Sequence, residues 1–322
     1  MWVLLAFISA LCLGGYDISK KIALRNQRVI NVLTLSVLIS SLILSIPLVL
    51  SRVCPQMMSD TLFFVPEMEW HAHLLTFVKS CIVLCSWIFS YMSLKHLPIS
   101  VVSPWQATRP MWTLIGALLI FGERLNSWQW AGVLLAIGSI FAFSFKKPQH
   151  TAGKRGLKSK IHDNKYYICL ALAILLGACS GLYDKYMMRH FDHNAVQVYY
   201  TLYQAVLMVI VWMVENRKNI RLTHSRQRSA SAVSTLLPSF SVADILPIIM
   251  ISVFLVISDN VYMLALSDPS SLIAVVSTIR RGGTVLGFAY GLIYLKEPDP
   301  WKKVLAMLGI LAGLTCLALG TL

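Results

Sequence analysis

The chain is poor in charge: only 13% of its 322 residues are Asp, Glu, Lys or Arg. A soluble globular domain carries about 25%, because its surface must be solvated by water. Apolar residues make up 57% of the chain, and the mean hydropathy is +0.68. These values exclude a disordered chain and argue against a soluble enzyme built around one core. They predict a polytopic membrane protein whose apolar surface faces lipid.

The chain also lacks the motifs of common enzymes and metal sites. HExxH, GxSxG, the P-loop and GxGxxG do not occur in it. The seven cysteines form no CxxC pair and have no zinc-type spacing with histidine. We therefore predict that the protein is not an enzyme and that it binds no cofactor or metal. Without a Walker motif, it cannot drive transport by its own ATP hydrolysis.

Long apolar runs dominate the rest of the sequence. A membrane-spanning helix needs about 20 mostly apolar residues. Ten runs meet this length, so the predicted fold is all-α with ten transmembrane helices. They cover residues 2–22, 31–50, 73–94, 98–121, 127–145, 166–188, 196–214, 245–266, 270–294 and 301–320.

An internal repeat divides these runs into two sets of five. Gly14-Gly15-Tyr16-Asp17 resembles Gly181-Leu182-Tyr183-Asp184. Tyr91, Arg109 and Gly116 match Tyr262, Arg280 and Gly287 at a constant offset of 171 residues. Because five is odd, the two sets would cross the membrane in opposite directions, as in the inverted repeats of many secondary transporters. The predicted units are a first five-helix repeat at 1–147, a basic linker at 148–163 and a second repeat at 164–322.

The formal net charge of +14 has two explanations. In a soluble chain it would suggest nucleic-acid binding, but here the basic residues lie mostly in short loops. Twenty of them follow odd-numbered spans and four follow even-numbered spans. The positive-inside rule then places the odd-numbered loops in the cytoplasm and both termini outside. We predict the lipid bilayer as a partner, and no nucleic acid.

Three arginines lie inside predicted spans: Arg109, Arg280 and Arg281. Ionisable groups are expensive within a membrane and are functional candidates by default. The planar guanidinium suits carboxylate or phosphate, so we expect these arginines to contact the anionic part of a small-molecule substrate. Polar and aromatic neighbours would shape the cavity around them: Trp105, Gln106, Thr113, Ser277 and Thr284.

Three aspartates in the spans are candidates for proton coupling: Asp17, Asp184 and Asp259. A buried carboxylate can exchange protons with a transport cycle. The alternative is that these aspartates form structural ion pairs, either with the arginines or with the adjacent Lys20 and Lys185. The sequence leaves both roles open.

The segment that follows Arg109-Pro110 resembles a known family. Gly122-Glu123-Arg124-Leu125, Trp128-Gln129, Gly132 and Gly138 are similar to the closing part of an EamA-like domain of the drug/metabolite transporter superfamily. The second half fits less well, because Arg281 aligns with Pro110 while Glu297, Trp301 and Gly309 match loosely. The resemblance implies a 5+5 helical transporter with a central cavity, which moves metabolites, amino acids or drugs, often outward.

The resemblance adds two further expectations. Glu123 and Glu297 carry over from the family's glutamate and would form ion pairs or gates at helix ends. Members of the family are expected to have both termini in the cytoplasm, whereas the distribution of Lys and Arg in this chain predicts the reverse.

The resulting hypothesis is a secondary transporter that moves a small metabolite, amino acid or drug-like solute by alternating access, as an exporter. The alternatives are a nucleotide-sugar or phosphate-ester exchanger of the same superfamily and a non-transporting membrane scaffold. The chain has no N-x-Ser/Thr site, and its first apolar run lacks the features of a cleaved signal. These features favour a bacterial inner membrane.

Overall fold

The computed structural model describes residues 1–24, 27–96, 105, 108–144, 157–226, 242–283, 285–286, 289–290 and 300–320. Within these ranges the chain is helical and contains no strand. The helices are α1 (Trp2–Ala23), α2 (Val29–Val53), α3 (Pro55–Met58), α4 (Trp70–His96), α5 (Arg109–Ile120), α6 (Ser127–Ser144), α7 (Leu157–His190), α8 (His193–Arg226), α9 (Val242–Ser267), α10 (Ile273–Arg281) and α11 (Pro300–Leu319).

Six of these helices are long and apolar enough to cross a membrane. They are α1, α2, α4, α7, α8 and α9, whose apolar segments run for 19 to 26 residues. Two shorter apolar helices occur at Arg109–Ile120 and Met307–Leu319. The structure therefore confirms an all-helical protein with several membrane-spanning helices, as the sequence predicted.

Two helices extend beyond the predicted spans. α7 begins at Leu157, inside the predicted linker 148–163, and α8 continues to Arg226 although its predicted span ended at residue 214. A helix satisfies its backbone hydrogen bonds internally, so it can leave the apolar layer and continue into water. Polarity alone therefore placed the start of α7 too late and the end of α8 too early.

The helix predicted at 270–294 is interrupted near its middle. α10 ends at Arg281, and Gly282 and Gly283 follow in a turn. Arg280 and Arg281 occupy its last turn, where the negative end of the helix dipole favours cations. The break thus places both guanidinium groups at a helix terminus inside the bundle.

Close helix pairs hold the bundle together. α1 packs along α9, α4 along α7, α6 along α11 and α2 along α8. The α6–α11 contact depends on glycine: a Cβ atom on Gly132 would lie 2.7 Å from the Gly313 carbonyl oxygen. Only hydrogen atoms in place of side chains allow these two backbones to approach so closely.

One end of the bundle is densely packed. α1 starts there, and α5, α7 and α9 finish there. Buried side chains from all four helices and from the start of α10 form a single apolar cluster, which includes Ala6, Ala117, Met187, Leu266 and Ile273. Close packing of this kind excludes water. We call this the closed end, and the site described next lies beyond it, deeper along the same helices.

Candidate functional site

A cavity of about 410 Å³ lies at the centre of the bundle. Helices α1, α4, α5, α7, α8, α9 and α10 all contribute to its wall. Among the described residues, eight charged side chains line it: Asp17, Lys20, Lys79, Arg109, Asp184, Asp259, Arg280 and Arg281. Five of them are basic and three are acidic, so the lining carries two more positive than negative charges. We refer to it as the central cavity.

Asp184 is held by a lysine from a distant helix. Lys79 Nζ on α4 lies 2.9 Å from Asp184 Oδ1 on α7, and the ammonium stands over the Tyr200 ring at 4.3 Å from its centroid. Lys79 is only 2% exposed. A buried lysine of this kind must be compensated by a carboxylate, so the pair fixes α4 against α7.

Lys185, which the sequence suggested as the partner of Asp184, has a different role. Adjacent residues of a helix point in different directions, and Lys185 faces the closed end. Its Nζ donates to the Ser271 carbonyl oxygen at 2.7 Å, to the Leu266 carbonyl oxygen at 3.3 Å and to Ser271 Oγ. Lys185 therefore caps the carbonyl groups at the end of α9.

Arg280 is paired with Asp259 in the wall of the central cavity. Its Nη2 donates to Asp259 Oδ1 and lies 3.4 Å from Ser258 Oγ. The guanidinium stands 4.1 Å from the centroid of the Tyr262 ring. This arginine thus follows the ion-pair alternative that the sequence left open.

Arg109 has a different environment, although it occupies the equivalent position in the sequence repeat. Its Nη2 makes one long hydrogen bond of 3.5 Å to the Ala173 carbonyl oxygen. Its Nε has no hydrogen-bond partner among the described residues, and no carboxylate of that part of the chain lies within ion-pair distance of it. The side chain lies against Gly177, where a Cβ atom would collide with the guanidinium. Arg109 thus brings a cation to the cavity wall without an acidic partner there.

Asp17 and Arg281 complete the charged lining. Asp17 interacts electrostatically with Lys20 on its own helix and with Arg281 on α10. Arg281 also lies near enough to Arg109 for the two cations to repel each other. Two arginines from different halves of the chain therefore share one region of the wall.

The structure brings together most, but not all, of the predicted site. Thr113 and Ser277 line the central cavity with the three arginines and the three aspartates. Trp105 is 42% exposed, has its ring centroid 6.3 Å from that of Tyr167 and is absent from the described lining. Gln106, Thr284 and Glu297 lie outside the described residues.

Glu123 lies at the closed end and not in the cavity. Its two carboxylate oxygens accept hydrogen bonds from the backbone N–H groups of Ile273 and Ala274, at 2.7 and 3.2 Å. It therefore caps the N-terminus of α10, whose positive dipole end favours an anion. Burial raises the pKa of Glu123 above its ordinary value, and the two backbone hydrogen bonds oppose that rise.

Sequence reasoning missed Lys79 and Tyr200 as parts of the site. Lys79 is the only ionisable residue in the middle of α4, which is the same signal that pointed to the three arginines. Tyr200 stood among many aromatic residues, and its proximity to Lys79 depends on the packing of α8 against α4. A buried lysine could have been found from sequence, whereas the tyrosine could not.

Comparisons with known proteins agree with this fold. Residues 1–145 match the model of the EamA-like transporter family, to which the motifs of this half also pointed. That family consists of membrane transporters of the drug/metabolite transporter superfamily, and the six long apolar helices agree with an integral, multi-pass membrane protein. No curated protein sequence matches the chain. Among 28 matching chains of solved structures, one crystal structure covers 99% of this chain and 96% of its own, with a TM-score of 0.69 and 13% identity. At that identity the shared feature is the fold.

Proposed function

We propose that the protein is a secondary transporter that binds the anionic part of a small metabolite in the central cavity. Transport would proceed by alternating access between the repeats at 1–147 and 164–322, without ATP hydrolysis. Arg109 and Arg281 would contact the anion, while Thr113 and Ser277 would contact its polar groups. The resemblance to exporters makes outward movement the expected direction.

The observation that carries this proposal is the contrast between Arg109 and Arg280. Asp259 neutralises Arg280, whereas Arg109 lines the same cavity without an acidic partner in the described chain. A buried cation without a partner is costly, and a substrate carboxylate or phosphate would remove that cost. The excess positive charge of the lining favours the same class of substrate.

The size and chemistry of the cavity also fit a metabolite. Sites for small molecules have volumes of roughly 300–1,000 Å³, and the central cavity has about 410 Å³. Trp87, Tyr200 and Tyr262 provide aromatic surface beside the charged groups. A scaffold protein without a transport function would have no need of such a cavity.

The packing of the helices supports a 5+5 inverted repeat. α1 packs on α9 as α7 packs on α4, and α5 packs on α7 as α10 packs on α1. The sequence repeat suggests that α1, α4 and α5 correspond to α7, α9 and α10. With this correspondence, the α1–α9 contact is equivalent to the α7–α4 contact, and the α5–α7 contact is equivalent to the α10–α1 contact. The closed end blocks access to the central cavity from one side, which is the arrangement that alternating access needs.

The first test is thermal stabilisation of the purified protein by a panel of amino acids, organic acids, phosphate esters and cationic drugs. A compound that binds the folded state raises the melting temperature by mass action. We expect anions to be stabilising, and Arg109→Gln to abolish the shift. Arg52→Gln is the matched control, because Arg52 lies outside the cavity lining. Stabilisation by cations alone would contradict the proposal.

The second candidate is an exchanger of phosphate esters or nucleotide sugars. The two excess positive charges of the lining favour a doubly charged anion, which a phosphate monoester provides. An exchanger moves labelled substrate only when substrate is also present on the other side. Counterflow in proteoliposomes that requires substrate on the far side would therefore favour this candidate over proton-coupled transport.

The bacterial inner membrane and the orientation within it belong to the same proposal. Twenty basic residues follow odd-numbered spans, which places those loops in the cytoplasm and both termini outside. Single cysteines introduced at residues 24 and 59 of a cysteine-free variant would lie on opposite sides. Labelling of intact cells with an impermeant maleimide should then modify position 59 only. Modification of position 24 only would reverse the orientation.

A further inference from the structure

A second, smaller cavity lies beside the central one, between α2, α4, α8 and α9. Its volume is about 40 Å³, and we call it the side pocket. Asp259 and Tyr200 line both cavities, so the two share a wall. The polar side chains that line the side pocket are Ser40, Gln197, Tyr200, Thr201, Gln204 and Asp259.

The side pocket contains buried polar atoms that the protein itself does not satisfy. Gln204 and Ser40 are each 2% exposed. Neither the amide nitrogen nor the amide oxygen of Gln204, nor Ser40 Oγ, has a hydrogen-bond partner among the described residues. Gln197, about two turns away on the same helix, differs: its Nε2 donates to the Val256 carbonyl oxygen and its Oε1 accepts from Asn260, both at 2.8 Å.

Unsatisfied buried groups of this kind call for a ligand. Leaving a buried donor or acceptor unpaired costs about 1–3 kcal/mol, and native proteins pair nearly all of them. A 40 Å³ space can hold about two or three water molecules. Water can accept from the Gln204 amide nitrogen and donate to its oxygen, whereas a cation could satisfy the oxygen alone. The donor and acceptor set of the pocket therefore favours water over a metal ion.

We propose that the side pocket holds ordered water that exchanges protons with Asp259, which makes Asp259 the coupling carboxylate of the transporter. This proposal rests on the proposed transport function. Among the described residues, the charged and titratable groups that line the central cavity with Asp259 are Arg280 and Arg281 from α10, Asp184 and its partner Lys79 from α7 and α4, Arg109 from α5, Tyr200 from α8, Asp17, Lys20 and Tyr16 from α1, and Tyr262 on α9 itself. The side pocket adds only uncharged groups from the same part of the chain.

Asp259 is the one of these three aspartates that lines the side pocket as well as the central cavity. Asp184 is held by Lys79 and is buried, and neither it nor Asp17 lines the side pocket. Asp259 can receive a proton from the waters on its α2–α8 side while Arg280 stays on its cavity side. The proton binds a carboxylate oxygen, the ion pair with Arg280 opens, and the guanidinium becomes available to an anion in the central cavity. Deprotonation returns the proton to water and restores the ion pair, so proton and anion bind cooperatively.

The test uses three variants of the full-length protein: Gln204→Leu, Ser40→Ala and Ser41→Ala. Ser41 is the matched control, because its hydroxyl donates to the Leu38 carbonyl oxygen and does not line the pocket. If water satisfies Gln204, Gln204→Leu lowers the melting temperature. If the pocket is dry, the same change removes two unsatisfied atoms and raises the melting temperature, which would overturn the proposal.

Infrared spectroscopy then follows the proton without any substrate. A step from pH 9 to pH 4 should produce a carboxylic acid C=O band that is absent in Asp259→Asn and therefore reports protonation of Asp259. When the protein is then transferred into D₂O, exchange of this proton for deuterium shifts the band. We expect the shift within seconds in the wild type and in Ser41→Ala, and at least tenfold more slowly in Gln204→Leu. Equal rates in all variants would show that the proton arrives by another route.

Sodium chloride and choline chloride provide the last comparison. If sodium chloride raises the melting temperature of the wild type more than choline chloride does, and this difference is absent in Ser40→Ala, the pocket binds sodium in place of water, which would overturn the proposal. These measurements need no transported substrate, so they can fail while the anion panel succeeds. If the pocket measurements succeed while no compound of the anion panel stabilises the protein, the water pocket is supported and the proposed transport function alone is contradicted.

Discussion

Arg109 and Arg280 stand at equivalent positions of the sequence repeat, 171 residues apart, yet their surroundings differ. The position equivalent to Asp259, which pairs with Arg280, is Ile88 in the first half. The two halves therefore provide similar scaffolds with different charges. One arginine is a partner in an ion pair, and the other faces the cavity with its charge available. The repeat explains where the cations lie, and its departures explain which one can bind.

The carboxylates show the same contrast. Asp17 and Asp184 follow Tyr16 and Tyr183 in matching segments. Asp184 has Lys79 on α4, whereas the position equivalent to Lys79 in the second half is Met250. A buried lysine and a methionine at matching positions give the two aspartates different partners. The second half of the chain thus supplies both members of one ion pair, while the other pair links the halves.

The largest effect is expected from Asp184→Asn. It leaves the Lys79 ammonium buried without a carboxylate, which destabilises a protein by about 3–5 kcal/mol. The free energy of unfolding in mixed micelles measures it. Lys79→Met combined with Asp184→Leu removes both charges and should recover most of the loss. A loss below about 1 kcal/mol in the single variant would mean that Lys79 finds another partner.

Ile88→Asp would place a carboxylate at the position of the first half that matches Asp259 in the sequence repeat. The new carboxylate should pair with Arg109 and compete with a bound anion, so we expect anion affinity to fall by at least about tenfold, equivalent to about 1.4 kcal/mol. Melting-temperature shifts with the stabilising anion measure it. Ile88→Asn is the control of similar shape without the charge. Unchanged affinity in Ile88→Asp would show that a carboxylate at position 88 does not pair with Arg109, so that the two halves differ in geometry as well as in charge.

Much of this arrangement could be predicted from the sequence. Apolar runs located the helices, and ionisable residues inside them located Arg109, Arg280, Arg281 and the three aspartates. The pairing could not be predicted, because Lys79 and Asp184 are more than 100 residues apart and meet only when α4 packs on α7. The role of Glu123 as a cap for α10 was equally hidden, since the start of that helix lies 150 residues further along the chain.

Gly177 and Gly181 allow a test of how Arg109 is positioned. Both lie on α7 and line the central cavity, but a Cβ atom on Gly177 would collide with the Arg109 guanidinium, whereas Gly181 has open space. We expect Gly177→Ala to displace Arg109 and to weaken anion binding several-fold. Gly181→Ala should preserve binding and stabilise the helix by roughly 0.5–1 kcal/mol. Binding titrations of the two variants side by side would decide, and equal affinities would show that Arg109 accommodates the methyl group.

The smallest effect is expected at the closed end, from Glu123→Gln. Glu123→Gln should lower the free energy of unfolding by about 1 kcal/mol near neutral pH, since a helix cap contributes about 0.5–2 kcal/mol. The reason is that the amide presents only one acceptor oxygen to the two N–H groups of Ile273 and Ala274. Burial raises the pKa of Glu123 in the folded chain above its ordinary 4.5. Ionisation is therefore less favourable in the folded than in the unfolded state, so the wild type loses stability as the pH rises from about 4.5 through the raised pKa. Glu123→Gln cannot ionise and lacks this slope, so the stability advantage of the wild type should shrink as the pH rises through this window. An advantage that grows with pH instead would mean that the two backbone hydrogen bonds outweigh burial, and that Glu123 holds the closed end as a carboxylate.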